Sequence, residues 1–287
     1  MTSRAEARNL CRVPRQLKDM VVAITGASAG IGRTLAEQLD ARGAKPALCA
    51  RRMDRLEALN RELGNRHFIM RADVASQADC EMFVQRTIEH FGRIDTLVAN
   101  AGYGQYRLTH EMSGEDVRKM FATNVFGTTD LIHAAVPHML KQEPRDGVRG
   151  QIMIVSSAAA RRGVPYLGPY AATKAAQLSI AEALRVELKD QGIAVTSVHP
   201  VMTKTEFGEV AETGGDVVLP RGGGPRQTVE HVAGKMIRAI ETPKREVWPH
   251  RLTRVQLAFA ALFPGLGDFA MAHYLRAVRR SNRESSG

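Results

Sequence analysis

The stretch Met20-Val21-Val22-Ala23-Ile24-Thr25-Gly26-Ala27-Ser28-Ala29-Gly30-Ile31-Gly32 decides the reading of this chain. Its first six residues form an apolar run of strand length, and its last two open an amphipathic stretch, Ile31–Arg42, with helical periodicity. Glycines between a strand and a helix allow a tight turn and let backbone approach a phosphate, whose charge the helix N-terminus favours. The spacing of Gly26, Gly30 and Gly32 is G-x-x-x-G-x-G, and no Gly-Lys-Ser/Thr follows, so this is no mononucleotide P-loop. Such a turn alone also fits a structural role. At the first strand–helix junction it points to a dinucleotide, with Thr25, Gly26, Ser28, Gly30, Ile31 and Gly32 at the cradle.

Working outward, the same alternation recurs. Strand-like runs lie at Pro46–Ala50, His67–Arg71, Ile94–Ala99, Gln151–Ser156 and Ile193–His199, nearly continuous in apolar residues, as in strands buried on both faces. Helical segments lie between and after them at Met53–Leu63, Gln77–Phe91, Glu115–Lys141 and Leu167–Gln191. This order predicts right-handed crossovers and an α/β doubly wound parallel sheet. The alternation stops after the sixth run. Residues 201–227 are rich in Gly and Pro without periodicity, which reads as a lid. Thr228 then predicts the cap of a helix through Ile240, and Glu246–Trp248 a last short strand. Beyond these, Leu252–Leu275 forms two amphipathic pieces broken at Pro264–Gly265. The expected organisation is a basic flexible leader at 1–18, one domain at 19–249 and an amphipathic basic extension at 250–287.

The 287 residues are 44% hydrophobic and 24% charged, too apolar for a disordered chain. The net charge of +10 is uneven: residues 1–19 hold +3 and residues 243–287 hold +5. The body is close to neutral, which argues against a nucleic-acid groove across it. Cys11, Cys49 and Cys80 are widely spaced, with no metal-ligand pattern; neither a disulfide framework nor a metal site is expected, and a cytoplasmic location is.

Arg51 and Arg52 follow the second strand, where a dinucleotide fold lays the adenosine ribose. A carboxylate there would bind a 2′-hydroxyl; a guanidinium can instead pair with a 2′-phosphate. This favours NADP(H), with NAD(H) possible, and Arg51 is the expected contact. Both could equally be solvated starters of the next helix. Further on, Tyr170 and Lys174 stand four apart on a predicted helix and share a face. Ser157 ends the fifth strand, at the edge where open sheets bind ligands. A phenol is a poor acid–base group at neutral pH; a nearby ammonium lowers its pKa, and a serine hydroxyl can hold a carbonyl oxygen beside it. Singly, Tyr170 reads as packing and Lys174 as a solvated face; together, behind a glycine-rich turn, they read as a catalytic set.

From about Met20 to Trp248 the chain resembles the short-chain dehydrogenases/reductases, in the subgroup with the Thr-Gly-x-x-x-Gly-x-Gly turn. Tyr170-Ala-Ala-Thr-Lys174 matches their Tyr-x-x-x-Lys pair, with Ser157 thirteen residues upstream. Asn100-Ala101-Gly102 matches the segment steadying the sheet beside the cofactor, and Asp73-Val74 the pair lining the adenine. Asn124 matches a helix asparagine that holds a proton-relay water. Pro200 and Thr205 match positions near the cofactor amide, although Val201 replaces the usual glycine. Ala29 stands where many NADP(H) users carry a second basic residue.

The resemblance implies a Rossmann-like fold and reversible, NADP(H)-linked interconversion of a carbonyl and an alcohol. Tyr170 is then the acid/base, Ser157 positions the oxygen, Lys174 also binds the ribose, and Asn124 leads to solvent. Tyr103, Tyr166, Leu167 and Phe207 are expected to line an apolar pocket for a hydrophobic ketone or aldehyde. A homodimer or homotetramer is implied, through the helices at Glu115–Lys141 and Leu167–Gln191. The segment 250–287 is expected to cap the cleft or a neighbouring subunit, with a peripheral membrane contact as its second reading. A non-catalytic NADP(H)-binding regulator on the same fold is the alternative, and an isomerase or dehydratase a smaller one.

Overall fold

The computed structural model describes residues 14–203, 207 and 227–285. Its sheet has β1 (Val21–Thr25), β2 (Lys45–Ala50), β3 (Phe68–Arg71), β4 (Thr96–Ala99), β5 (Gly150–Val155), β6 (Ile193–Val198) and β7 (Glu246–Val247). All pairings are parallel, in the order β3-β2-β1-β4-β5-β6-β7. Because each strand is covered on both sides, alternate residues enter different cores. Val22, Ile24 and Leu48 face a layer made by α1 (Gly30–Asp40), α2 (Met53–Glu62) and α7 (Val229–Glu241). Ala23, Ala47 and Leu97 face the opposite layer, made by α3 (Gln77–Phe91), α5 (Gly127–Lys141) and α6 (Gly168–Glu187). Cys49 and Cys80 are buried free thiols, on this second side. The order reverses between β1 and β4, and the crevice that opens there is where the glycine-rich turn lies.

The single helix expected over Glu115–Lys141 is built differently. It comprises α4 (Gly114–Phe121), a π-helical turn at Ala122–Phe126, and α5. The extra residue in that turn swings Asn124 into the interior, where it is fully buried. Thr228 caps α7 as expected, accepting from the His231 N–H at 3.2 Å. The C-terminal pieces are α8 (Arg251–Leu262) and α9 (Pro264–Ser285), bent by 119° at their junction. No single helix among the described residues is long and apolar enough to cross a membrane.

The start of the chain departs from expectation. Of the expected flexible leader, residues 1–13 lie outside the described residues; in the rest, Arg15 and Leu17 are buried while Pro14, Gln16 and Lys18 are exposed. Arg15 is 2% exposed. Its guanidinium donates to Gln151 Oε1 at 3.0 Å and to the carbonyls of Asp95 and Ile240 at 3.2 and 3.3 Å. Leu17 joins the core beside it. A run of spaced arginines looks solvated in sequence; only the strand ends around it show that this one is enclosed by acceptors.

Candidate active site

The crevice begins at Thr25, whose hydroxyl accepts from the backbone N–H of Asn100 and of Ala101, both at 3.1 Å. Asn100 returns the contact, its Nδ2 donating to the Thr25 carbonyl at 2.8 Å. These bonds lock the ends of β1 and β4 together at the switch point. They also explain two of the glycines. A Cβ on Gly32 would lie 2.6 Å from Asn100 Nδ2, and one on Gly26, at φ +66°, 2.9 Å from the Ala101 backbone. Two of the cradle residues therefore serve the close packing of turn, strand end and helix.

The turn still fits a pyrophosphate. No side chain caps the N-terminus of α1, and its first turn holds no acid, so its N–H groups remain suited to an anion. The Arg52 guanidinium reaches the Ser28 hydroxyl of the same turn, with Nη2 at 3.2 Å. Arg52, the second of the two arginines expected near the ribose, is the one that contacts the turn. Asp73 lies two residues beyond β3, its Oδ1 accepting from the Ala75 N–H at 3.1 Å, and Val74 is buried beside it.

Ser157, Tyr170 and Lys174 do come together. Ser157 follows β5, and its hydroxyl accepts from the Ala159 N–H at 3.1 Å. Tyr170, on the first turn of α6, stands close enough for the Ser157 hydroxyl to act on its phenol. Burial pushes the Tyr170 phenol up to about 12, with the Ser157 hydroxyl pulling the other way. Lys174 is 4% exposed, and burial holds its amine down to about 7. Its Nζ lies 5.6 Å from the Tyr170 ring centroid and donates to the Val155 carbonyl at 3.0 Å and to Gln177 Oε1 at 2.9 Å. The expected lowering of the phenol by the ammonium is not found in this state. Burial acts on both groups, so at neutral pH the proton stays on the phenol. That is the form that can give a proton to a carbonyl oxygen.

Asn124 is held on several sides. Its side chain spans the Tyr103 backbone, Oδ1 accepting from N–H at 3.0 Å and Nδ2 donating to the carbonyl at 2.9 Å. Nδ2 also donates to Thr173 Oγ1 at 3.0 Å. Its own carbonyl accepts from Gln177 Nε2 at 2.6 Å and from Thr128 Oγ1 at 2.8 Å. Asn124 ties the loop after β4 to α6. Gly102 lies in that loop, where a Cβ would crowd Asn124 Oδ1 at 3.0 Å and Lys174 Nζ at 3.3 Å.

Of the expected pocket residues, Tyr166, Leu167 and Phe207 share one cluster with Tyr106 and Leu108. Phe207 lies against Tyr170, with ring centroids 5.3 Å apart. Tyr103 does not belong to this cluster; burial, with Asp116 nearby, raises its phenol. The cluster is closed by Tyr274, Leu275 and Val278 of α9, which the sequence placed only generally as a possible cap. Tyr166 holds φ +67°, a conformation rare for a bulky residue and one found at functional sites. Thr205 lies outside the described residues, as does most of the segment between Thr203 and Gln227. The ends of that segment are joined by a parallel bridge between those two residues. Pro200 lies at its entrance, its carbonyl accepting from the Ala158 N–H at 2.9 Å.

Three residues were missed by sequence reading. Gly104 faces Tyr170, where a Cβ would stand 3.0 Å from the ring and 2.9 Å from that of Phe207. His199 is fully buried behind Ser157, its Nδ1 donating to the Ser157 carbonyl at 3.2 Å. Gln177, one turn beyond Lys174, is the third; a glutamine on the predicted inner face of a helix was the available signal.

An open parallel sheet, a glycine turn at its switch point and a serine–tyrosine–lysine set beside it define the class of nicotinamide-dependent oxidoreductases. Residues 20–214 match the family model described as short chain dehydrogenase, and the chain belongs to that family. It is 40% identical over 195 residues to the 11-beta-hydroxysteroid dehydrogenase-like 4A of Arabidopsis thaliana, covering 66% of this chain and 63% of that protein. It is 34% identical over 282 residues to the uncharacterized oxidoreductase YxnA of Bacillus subtilis, covering 95% of this chain and 78% of the other. A short-chain dehydrogenase/reductase from Burkholderia phymatum in complex with NAD shares the fold, with a TM-score of 0.77 at 23% identity over 88% of this chain and 96% of that one. An alcohol dehydrogenase from Thermococcus sibiricus complexed with 5-hydroxy-NADP gives 0.69 at 27% identity, over 80% and 95%.

Proposed function

We propose that this protein interconverts a carbonyl and an alcohol with NADP(H), acting on a hydrophobic ketone or aldehyde. The observation that carries this is the placement of Tyr170 beside Ser157 and Lys174, with its ring against Phe207 of an apolar cluster. When bound, the nicotinamide supplies or accepts the hydride. In reduction, Tyr170 gives its proton to the carbonyl oxygen while Ser157 holds that oxygen; in oxidation it takes the proton back. Lys174, buried and cationic only up to about neutral pH, stabilises the phenolate that remains. Ser28, Gly30, Ile31 and the N-terminus of α1 would hold the pyrophosphate, and Arg52 the 2′-phosphate. Asp73 and Val74 would border the adenine, with Lys174 at the nicotinamide ribose. The apolar cluster and the hydroxysteroid dehydrogenase names of the Arabidopsis relatives together support a steroid-like ketone.

The test is a fluorescence titration with NADPH and NADH, followed by consumption assays on ketones and aldehydes with Tyr170→Phe as control. Turnover lost in Tyr170→Phe with cofactor binding retained is expected. Tight binding without turnover on any carbonyl would shift the weight to a cofactor-binding regulator.

The protein is further proposed to dimerise or tetramerise through α4–α5 and α6, where Phe126 and Val186 stand 58% and 78% exposed. Phe126→Glu should dissociate it in light scattering. The outer faces of α8 and α9 carry Val255, Phe259, Leu262, Leu266 and Phe269 in solvent, beside Arg251, Arg254 and Arg276. This pairing of apolar and cationic groups fits an anionic bilayer surface. Cosedimentation with phosphatidylserine vesicles, lost in Leu262→Glu/Phe269→Glu, supports that contact; unchanged soluble behaviour removes it.

A further inference from the structure

Gln177 lies on α6 three residues beyond Lys174, fully buried. An amide enclosed in this way is costly unless its polar atoms are satisfied, and here both ends are. Oε1 accepts from Lys174 Nζ at 2.9 Å. Nε2 donates to the Asn124 carbonyl at 2.6 Å and to Thr128 Oγ1 at 2.8 Å. One side chain thus joins the amine of the site to the π-turn between α4 and α5. A hydrocarbon of the same length would fill the space but hold neither end.

We propose that Gln177 is a positioning residue for Lys174, its amide fixing Nζ from one side while anchored on the π-turn from the other. The inference rests on the role assigned to Lys174 above. An ammonium has three donors; the Val155 carbonyl and Gln177 take two, which leaves the third directed by geometry. Without Gln177 the flexible stem would search for another acceptor. The amide oxygen also stabilises the charged amine, so it sets where Lys174 titrates as well as where it stands. Of the groups around Nζ, only Tyr170, on the same helix, titrates. From the other elements come the Val155 carbonyl and the Gly102 backbone with Asn124 beside it, none of which changes charge.

The test follows the Lys174 titration by NMR of protein labelled with carbon-13 at the lysine Cε, the signal assigned by its loss in Lys174→Met. Gln177→Glu places a carboxylate at the amine and should raise the titration point by about one pH unit or more. Gln177→Met removes the acceptor and should lower it, with weaker NADPH binding above neutral pH. Opposite displacements in the two variants are the expected result. An unmoved Lys174 titration in both folded variants would overturn the proposal; should Gln177→Glu fail to fold, Gln177→Met decides alone. This readout does not depend on finding the substrate, so it fails separately from the proposed activity.

Discussion

His199 lies flat against the indole of Trp248, with ring centroids 4.4 Å and planes 16° apart, and supports the Ser157 carbonyl from behind. A carbonyl can only accept, so Nδ1 carries the proton and Nε2 faces the Ser197 hydroxyl at 3.0 Å. Burial keeps this imidazole neutral, down to about 4.

The pH dependence of stability follows. The folded protein binds the His199 proton less readily than the unfolded chain, whose histidine titrates near 6.5. Above that point the stability is whole; as pH falls toward 4, the unfolded state gains protons first and stability declines. The loss by pH 5 should be about 2 kcal/mol from this residue. Urea unfolding at pH 7.5 and 5 measures it, and His199→Phe, which keeps the stack, should flatten the difference.

Gly104→Ala should separate chemistry from cofactor binding. The added methyl meets the rings of Tyr170 and Phe207 at about 3 Å, tighter than ordinary contact. A displaced phenol should lower kcat/KM on the order of tenfold or more, while the NADPH dissociation constant stays close to wild type. Equal losses in both would argue against a specific effect at Tyr170.

Cofactor preference should depend on Arg52 more than on Arg51. Arg52→Ala removes the guanidinium that reaches Ser28. NADPH affinity should then fall by about tenfold or more, the magnitude of one charge-assisted bond, with NADH little changed. Arg51→Ala should have the smaller effect. Paired fluorescence titrations decide the order.

Arg15→Met should cost stability and spare the site. The substitution leaves acceptors on Gln151, Asp95 and Ile240 without their buried donor. A loss of about 2–4 kcal/mol is expected, read as a shifted urea midpoint. Cofactor binding by the folded fraction should be unaltered, since Arg15 lies at the other end of the strands.

The strands were legible because each is an apolar run bounded by turn residues, and burial on both faces imposes such runs. β2 begins at Lys45 and β6 ends at Val198, within a residue of the runs read from sequence. Tyr170 and Lys174 were legible for a related reason: four apart on one helix, they share a face before any tertiary contact forms, and Ser157 stood at the strand edge where such sheets bind ligands. The π-turn at Asn124 was not legible, since one extra residue in a helical turn leaves the amphipathic pattern of Glu115–Lys141 nearly intact.

The sequence by itself therefore determined the parallel α/β sheet, the glycine turn at its first junction and the serine–tyrosine–lysine set, all consequences of local periodicity and spacing. Only the tertiary structure decided that Arg15 is enclosed, that Arg52 reaches the turn, that Tyr103 stands outside the apolar cluster and that Gln177 bonds to Lys174. Each of these depends on which hydrogen-bond partners and charges residues distant in sequence bring within reach, and such partners exist only once the chain has closed around them.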